Sequence, residues 1–543
     1  MVDTLTLGVV AFIYIIVILW LGYLGYKRTK QEEDFLVAGR KIHPVILALS
    51  YGATFISTSA IVGFGGVAAQ LGMGLIWLTV LNIGIGIFLA FVIFGKKTRE
   101  IGHRIKAVTF PDLLGRIYRS SFMQSVTGLI ILVGMPLYTA AILIGGARFI
   151  ETTLNIQYDL ALIGFCVIVA LYVILGGIIA VMYSDALQGA IMLIGMILLL
   201  VLTYNILGPV TDVNAELTAM APLVPEGLQN AGMTGWTSFP ETGSSIWLTM
   251  VTTIILGVGI GVLAQPQLVV RFMTVRNNKA LNRAVFVGGP FILVMTGVAF
   301  TVGAVSNVYF YRNYGEIATT VAGNVDSIIP LFINDAMPEL FVVVFMLALL
   351  AAAMSTLSSL FHTMGTSAGY DIWNNIKHSR LSRLWENGNE KPKESIQATV
   401  KTSFRASQIG TGVMIVISVI IAYLLPGDII ARATAMFFGL CAAAFLPALV
   451  YALYSKRPPF ALAAKISLAV GAITWFLWTA FVHIKESSAL GICNALFGRD
   501  ALLGMPWQVV DPLIIALPLS AASLLIVLVV ERTWKSSAEA EPS

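Results

Sequence analysis

Four hydroxyl side chains lie within five residues of one long apolar segment: Ser355, Thr356, Ser358 and Ser359. Ser355, Ser358 and Ser359 occupy positions i, i+3 and i+4, so a helix would place them on one face. Oxygen atoms are the ligands that hard cations take, and hydroxyls beside loosened backbone carbonyls supply them without a permanent charge. We interpret this segment as a candidate site for an ion such as Na⁺. Alternatively, each hydroxyl bonds the carbonyl one turn back.

Two other apolar segments are interrupted by glycine and polar residues. The first, residues 44–67, reads ALSYGATFISTSAIVGFGG in its centre, and the second, residues 244–270, reads LGVGIGVLAQP. Such backbone is costly in lipid and is tolerated where it lines a cavity. Corresponding interrupted spans in two halves of a chain point to a transporter's binding site. Alternatively, the glycines only permit close helix packing.

The elements that must position these residues are membrane helices. Apolar residues make up 58% of the 543 residues and charged residues 11%, whereas soluble domains carry about 25% charged residues. We predict an all-α membrane protein with one transmembrane domain, residues 1–535, and a disordered cytoplasmic tail, residues 536–543. The predicted spans number thirteen: 5–26, 44–67, 72–94, 123–149, 157–182, 184–207, 244–270, 284–307, 338–370, 407–425, 431–454, 463–483 and 510–531.

The distribution of basic residues predicts the orientation. Most of the 33 Lys and Arg residues fall in loops that thirteen spans place on one side, and basic loops stay in the cytoplasm. We therefore expect a multi-pass protein of the plasma (inner) membrane with its N-terminus outside and its C-terminus inside. The first apolar run is long enough to span, so we expect it to remain as a helix. The two interrupted spans start five spans apart, which predicts two inverted five-helix repeats, spans 2–6 (about 44–207) and 7–11 (about 244–454).

Several classes of function are excluded by composition. The three cysteines and five histidines are scattered, without the spacing of a metal site or a disulfide framework. The sequence also lacks a basic patch interleaved with aromatic residues, the pattern that would suggest nucleic-acid binding. A membrane enzyme would need a cluster of His, Asp, Glu or Cys at one depth, and the sequence has none.

Asp185 is the carboxylate nearest to the predicted ion site, at the head of span 6. An acid inside a membrane segment is a functional hypothesis by default. The alternative is that Ser184 or Asp185 caps this helix at the cytoplasmic surface.

Beyond these patterns, the chain resembles the sodium/solute symporters of the LeuT-like fold, which include proline, pantothenate, sialic-acid and sodium/glucose transporters. The resemblance runs from about residue 5 to about residue 460. Its motifs are FLVAGRKIHPVILALSYGATFIS, LGGIIAVMYSDALQG, AQPQLVVRFM and AAAMSTLSS. It implies sodium (Na⁺) as the coupling ion and a small-molecule solute as cargo.

The resemblance also implies ion ligands. One sodium ion would be held by Ala53, Ile56, Ala352, Ser355 and Thr356. A second ion, which some relatives hold, would use Asp185, Ser355, Ser358 and Ser359. For the solute we name Ser57, Thr58, Thr79, Asn82, Tyr138 and Gln265, residues expected near the membrane midplane against the broken spans.

This sequence departs from the proline-transporting branch at three positions. That branch has an aspartate where this chain has Phe55 and tryptophans where it has Ser59 and Val258. An aromatic residue at position 55 is more similar to the pantothenate branch. No acid is placed to hold an amine, which favours an anionic or neutral solute such as a carboxylate.

The sequence thus predicts a sodium-coupled symporter that imports a small carboxylate or amino-acid-like solute of pantothenate, monocarboxylate or proline type. Alternatives are a proton-coupled carrier or a sugar symporter of the same fold, and then a membrane sensor or a channel.

Overall fold

The computed structural model describes residues 4–154, 156–376, 394–425 and 430–540. Every regular element in these ranges is a helix. The N-terminal half contains α1 (Thr4–Arg28), α2 (Pro44–Phe55), α3 (Ser59–Leu71), α4 (Met73–Arg104), α5 (Phe110–Ile117), α6 (Ser121–Leu154) and α7 (Tyr158–Leu207).

The C-terminal half contains the remaining long helices. They are α8 (Ser245–Ala264), α9 (Pro266–Phe272), α10 (Asn278–Tyr314), α11 (Glu339–Ile376), α12 (Glu394–Leu424), α13 (Ile430–Tyr454), α14 (Ala461–Phe481) and α15 (Pro512–Ala540). Connections contain shorter helices: Glu32–Val37, Val210–Ala219, Glu226–Asn230, Ala318–Ala322, Ile328–Ala336, Ile484–Leu490 and Ile492–Phe497.

Within the described ranges, 11 helices are long and apolar enough to cross a membrane, or 12 when α2 and α3 count as one broken span. The chain is therefore a multi-pass, all-helical membrane protein. The predicted count of thirteen stays a prediction at this point. The predicted tail overlaps the end of α15, which continues to Ala540, and residues 541–543 lie outside the described residues.

The interruption predicted in span 2 is confirmed. Helix α2 ends at Phe55, Ile56 is extended with φ −90° and ψ 95°, and α3 begins at Ser59. The two helices are bent by 54°. The glycines that follow the break permit close packing, as the alternative interpretation expects. A Cβ on Gly66 would lie only 2.0 Å from the Val325 carbonyl oxygen.

The interruption predicted in span 7, within the stretch LGVGIGVLAQP, is present and lies at the end of that stretch. Gly257, Gly259 and Gly261 remain inside α8, and the chain breaks at Gln265, which is extended with φ −69° and ψ 116°. The reason is Pro266, because a proline restricts the residue before it to extended conformations and then suits the first position of a helix.

Helix α7 doubles back on itself at Gly177. This residue has φ +58°, a conformation that glycine adopts without steric cost. Tyr172 donates to the Met354 carbonyl, while Asp185 accepts from Ser358, one helical turn further along α11. Residues 172 and 185 of a straight helix would lie about 20 Å apart, so only a reversal explains both contacts.

This reversal corrects the predicted position of Asp185. The boundary between spans 5 and 6 was expected at residue 183, which placed Asp185 at the head of span 6, either as an acid inside the membrane or, in the alternative interpretation, as a helix cap at its surface. Because the turn occurs at Gly177, Asp185 lies two turns inside the second limb of α7, fully buried.

Helix α11 is the centre of the molecule and packs against α2, α6, α7 and α12. Nearly all of its side chains from Phe341 to Gly369 are buried. At one end of the bundle, Trp236 donates to the Ala69 carbonyl at the end of α3. We call this end the Trp236 side and the opposite end, where α11 finishes, the Asp371 side.

Candidate functional site

The hydroxyls of α11 face the end of α2, just before the break. Ser355 Oγ donates to the Ala53 carbonyl at 2.9 Å, and Thr356 Oγ1 donates to the Thr54 carbonyl at 3.2 Å. Carbonyls in the last turn of a helix have no partner within that helix. The break in span 2 thus frees backbone oxygens where the hydroxyls of α11 arrive.

The five residues of the first predicted ion set fall in this one region. Ser355 Oγ bonds the carbonyls of both Ala53 and Ala352, at 2.9 and 3.1 Å. Thr356 bonds the carbonyl next to that of Ala53, and Ile56 is the residue at which α2 ends. The set offers neutral oxygen atoms, the chemistry that a hard monovalent cation requires.

Part of the second predicted set meets at the Asp185 carboxylate. Ser358 bonds it directly, Ser359 is linked to it through Thr54, and Ser355 Oγ bonds the Ala53 carbonyl instead. Asp185 Oδ1 accepts from Ser358 Oγ at 3.3 Å. Its Oδ2 accepts from Ser50 Oγ at 2.9 Å and from Thr54 Oγ1 at 3.2 Å. Thr54 Oγ1 also lies 2.9 Å from Ser359 Oγ. Helices α2, α7 and α11 therefore converge on this carboxylate.

Arg271 of α9, which the ion-site predictions do not include, completes the cluster. Its Nη2 lies 2.8 Å from Asp185 Oδ2, 2.6 Å from Thr54 Oγ1 and 2.6 Å from Ser359 Oγ. Its Nε donates to Ser50 at 3.1 Å and its Nη1 to the Gln267 carbonyl at 2.5 Å. Both members of this ion pair are buried.

The Arg271–Asp185 pair joins four helices at one point. Removing one partner of a buried ion pair typically costs about 3–5 kcal/mol, because the other charge is left uncompensated. The guanidinium occupies a position within hydrogen-bond distance of the oxygens that the second ion set would use. In this conformation, Arg271 supplies the positive charge at Asp185.

A small enclosed cavity lies on the other side of the break. Its volume is about 20 Å³, close to the space that one water molecule needs. It is lined by Phe55, Ile56, Ser57, Ala60, Phe64, Leu78, Asn82, Val258, Thr296, Phe300, Thr434 and Phe438. These residues are aromatic, aliphatic or neutral polar, and no charged side chain is among them.

Residues 35–463 match the model of the sodium:solute symporter family. The chain belongs to this family. Its members are transporters and not enzymes. The match covers both broken spans, the Arg271–Asp185 pair and all of α11.

Individual relatives are similar along nearly their whole length. An osmoregulated proline transporter of Bacillus subtilis is 26% identical over 86% of this chain and 87% of its own. A sodium/pantothenate symporter of Haemophilus influenzae is 27% identical over 91% and 96%. A solved structure of a Na⁺-coupled sialic acid symporter has a TM-score of 0.68 at 16% identity, covering 96% of this chain and 98% of that one. This structural likeness confirms the predicted LeuT-like fold.

Two of the six residues that we named for the solute line the small cavity of this symporter, Ser57 and Asn82. Tyr138 lies beside it, with its ring 5.7 Å from the ring of Phe438. Asn82 Oδ1 is buried without a hydrogen-bond partner in the described part of the chain, and a solute can satisfy such an atom.

The other three solute candidates lie away from the cavity lining. Thr58 packs against Gly145 of α6, and Thr79 against Gly297 of α10. Gln265 is held by its neighbours, since its Oε1 accepts from Gln267 at 3.1 Å. They are buried near the break without lining the cavity in this conformation.

A second, larger cavity opens on the Trp236 side of the symporter. Its volume is about 670 Å³ and its wall includes the ion pair Arg148–Glu151, joined at 2.9 Å. Gly145 of its lining contacts Thr58, directly beside the break in span 2. One wall of the larger cavity therefore lies close to the break in span 2.

Proposed function

We propose that the chain is a sodium-coupled symporter that carries a small organic solute by alternating access. The observation that carries the proposal is the bond from Ser355 Oγ to the Ala53 carbonyl, because it joins the hydroxyl cluster of α11 to the broken end of α2. The family and its sodium-coupled relatives support sodium as the ion.

In this proposal, sodium binds to the first set, formed by Ala53, Ile56, Ala352, Ser355 and Thr356. Ion binding replaces the hydroxyl-to-carbonyl bonds between α2 and α11 with shared coordination, which stabilises the closed contact between the two helices. Coupling then requires that ion and solute each bind better to one shared state. An inward membrane potential adds about 2.3 kcal/mol per charge per 100 mV.

The second sodium set, Asp185, Ser355, Ser358 and Ser359, is conditional on Arg271. While the guanidinium contacts Asp185 and Ser359, a second cation at that point would be repelled. We propose that this position binds sodium only in a state in which Arg271 has moved away. A transport cycle that starts from the conformation with Arg271 on Asp185 is then coupled to one sodium ion.

The membrane arrangement that we propose has thirteen spans. Counting α2 with α3 as one span and the two limbs of α7 separately gives this number. Residues 1–535 then form one domain of two inverted repeats, about 44–207 and 244–454, with the N-terminus outside the plasma membrane and the C-terminus in the cytoplasm. The Trp236 side becomes the external side, and the larger cavity becomes the entry path for solute.

For the solute we propose a small carboxylate or amino-acid-like molecule with an apolar body. Phe55, Phe64, Phe300 and Phe438 supply an apolar surface, and Ser57 and Asn82 supply neutral polar atoms. A free amine would find no acid in the lining. Proton coupling and a sugar solute are the alternatives within the same fold.

Uptake into proteoliposomes with an imposed sodium gradient tests the proposal. The panel contains labelled proline, pantothenate, short monocarboxylates, sialic acid and glucose, each measured with sodium and with potassium outside. Accumulation of one solute that requires sodium supports symport and names the substrate class. Accumulation driven equally by a pH gradient without sodium would overturn sodium coupling.

A further inference from the structure

The connection between α14 and α15, residues 482–511, carries an exposed apolar surface. Six of its side chains expose between 42% and 66% of their area: Leu490, Leu496, Phe497, Leu503, Met505 and Trp507. We call these six residues the 490–507 face. Exposed apolar patches of this kind mark surfaces that contact another protein or a membrane.

The other long connection at this end of the molecule has a different surface. In residues 208–244, all of which the structure describes, Val210 is the one large apolar side chain whose exposed fraction is above 40%, and Trp236 is buried against α3. This stretch also carries four acidic residues and no Lys or Arg. Its surface is suited to water, whereas the 490–507 face is not.

Both connections lie on the Trp236 side. Helix α8 begins directly after residues 208–244, and the Asp511 backbone N–H donates to Thr252 Oγ1 in the first half of α8 at 3.1 Å. The start of α15 is therefore at the same end of the bundle as the start of α8.

The connection folds back on the last turn of α14 instead of extending away from it. The Leu502 N–H donates to the Phe481 carbonyl at 2.8 Å. The ring of Phe497 lies 6.1 Å from the ring of Phe481, and the ring of Trp507 lies 6.2 Å from that of Trp478. The 490–507 face therefore lies at the depth at which α14 leaves the bilayer.

The last turns of α14 have a lipid-facing surface of their own. Ile473, Phe476 and Leu477 expose about half of their area, and the exposed apolar side chains of a membrane span face the acyl chains. Because Trp478 and Phe481 of the same helix contact the 490–507 face, this lipid-facing surface and the face adjoin. The occupant that the position of the face favours is the bilayer itself.

The composition of the face suits the boundary between headgroups and acyl chains. Tryptophan is enriched at this level of the membrane, and Trp507 belongs to the face. Arg499 and Asp500 are the only charged residues between positions 490 and 507, and their charges cancel. Asp500 Oδ1 also accepts from Asn494 Nδ2 at 2.9 Å. The segment thus has no net charge that opposes its entry into this layer.

We propose that the 490–507 face binds the surface of the lipid bilayer, with its six side chains between the headgroups and the acyl chains. In the proposed orientation this is the outer leaflet. The connection then anchors the outer ends of α14 and α15, because interfacial aromatic residues help to fix the depth and tilt of the spans that carry them. The inference requires that α14 and α15 cross the membrane, and it is independent of the coupling ion and of the solute.

Quenching of a fluorescent label on the full-length protein in phosphatidylcholine liposomes tests the proposal. Phe497→Cys places a thiol on the face, and Phe239→Cys is the matched control in residues 208–244, while the three native cysteines are buried. We expect lipid with brominated acyl chains to quench the label at position 497 several-fold more strongly than the label at position 239. Iodide in the water should quench the label at position 239 several-fold more strongly.

Equal quenching by iodide at the two positions would place the face in water and overturn the proposal. A label at position 497 that neither quencher reaches would also overturn it, because protein would then cover the face, and cross-linking between copies at this position would identify a second copy of the chain. Trp507→Phe gives a reading without a label. The tryptophan emission that this change removes should be quenched by brominated lipid, and emission that only iodide quenches would contradict the proposal.

Discussion

The proposed ion region, around Ser355 and Asp185, and the proposed solute cavity, which is the small cavity lined by Ser57 and Asn82, meet at the same broken span, but they are constructed in opposite ways. Around Asp185, the side chains of Ser50, Thr54 and Arg271 are all hydrogen-bonded. In the solute cavity, Asn82 Oδ1 has no hydrogen-bond partner among the described residues, and the same is true of the buried Ser59 Oγ, two residues after Ser57 of the lining. The first region is complete without a ligand, whereas the second is not.

This difference indicates what each region does during transport. A network in which every polar group is paired has a fixed geometry, and leaving one of its members unpaired is expensive. A cavity of about 20 Å³ is too small for an organic solute and must open to admit one. We infer that the ion region holds the helices together while the cavity changes shape.

The largest expected effect comes from separating the buried charges. Asp185→Asn leaves the guanidinium of Arg271 buried without its carboxylate, so we expect a loss of about 3 kcal/mol in the free energy of unfolding and a large loss of sodium-driven uptake. Thermal unfolding of the purified protein and uptake in proteoliposomes measure the two effects. Asp335→Asn, outside the network, should change neither.

The double variant Asp185→Leu with Arg271→Met sharpens this test. Replacing both charges by apolar side chains removes the penalty of an unpaired charge, so thermal stability should recover while sodium-driven uptake stays impaired. Recovery of both would show that the pair only supports the fold. No stability difference between the single and the double variant would contradict the buried pair itself.

A smaller effect is expected at the hydroxyl cluster. Ser355→Ala removes one oxygen from the first sodium set, and we expect the sodium concentration for half-maximal uptake to rise by about tenfold or more. Stability should fall by only about 1 kcal/mol, the net value of one hydrogen bond. Ser418→Ala is the matched control, since the Ser418 hydroxyl makes a local bond to the Met414 carbonyl on its own helix α12. Equal sodium dependence in both variants would reject the site.

The sequence predicted the part of the ion region that depends on local spacing. Ser355, Ser358 and Ser359 share a helical face because of their positions alone. Ser355 bonds the Ala53 carbonyl and Ser358 bonds Asp185, whereas Ser359 contacts Thr54, which was not among the predicted ligands. Arg271 was missed because it was counted among the basic residues that orient the chain. One signal was available: apolar residues flank it on both sides in LVVRFM, which is unusual for an arginine in a loop.

The solute cavity was predicted less well, for a physical reason. Which residues line a cavity depends on how helices are rotated against each other, and that is set by packing between distant segments. Ser57 and Asn82 line it, whereas Thr58 and Thr79 face small glycines of other helices. From the sequence alone, the phenylalanines that dominate the lining cannot be distinguished from phenylalanines of the core.

At the cavity, the expected effect is confined to the solute. Asn82→Ala removes the unpaired amide, so KM for the transported solute should rise several-fold, up to about tenfold, while the sodium dependence stays unchanged. Initial uptake rates at varied solute and fixed sodium measure this, with Asn313→Ala on the exposed end of α10 as control. A change in sodium dependence equal to that in KM would mean that ion and solute share this residue.

The smallest effect is expected at Thr79. Within the described part of the chain, its hydroxyl is buried without a hydrogen-bond partner and lies outside the cavity lining. The isosteric change Thr79→Val should therefore alter KM by less than about twofold and leave thermal stability equal or slightly higher. Uptake kinetics and thermal unfolding of this variant measure the two effects. A tenfold rise in KM would show that the cavity reaches Thr79 when the solute is bound.

The reversal at Gly177 has a consequence for anyone who maps the topology of this protein with inserted tags or reporter fusions. The chain changes direction there without leaving a loop, and a Cβ on Gly177 would already lie 2.3 Å from the ring of Phe35. An epitope inserted at this turn would separate two packed limbs and damage the protein before it reported a side. Accessible positions are the longer connections, such as residues 208–244. Because the two limbs of α7 run in opposite directions, reporters placed before and after this helix would report the same side, and a fusion survey without a position near Gly177 would miss that the chain crosses and returns in the proposed arrangement.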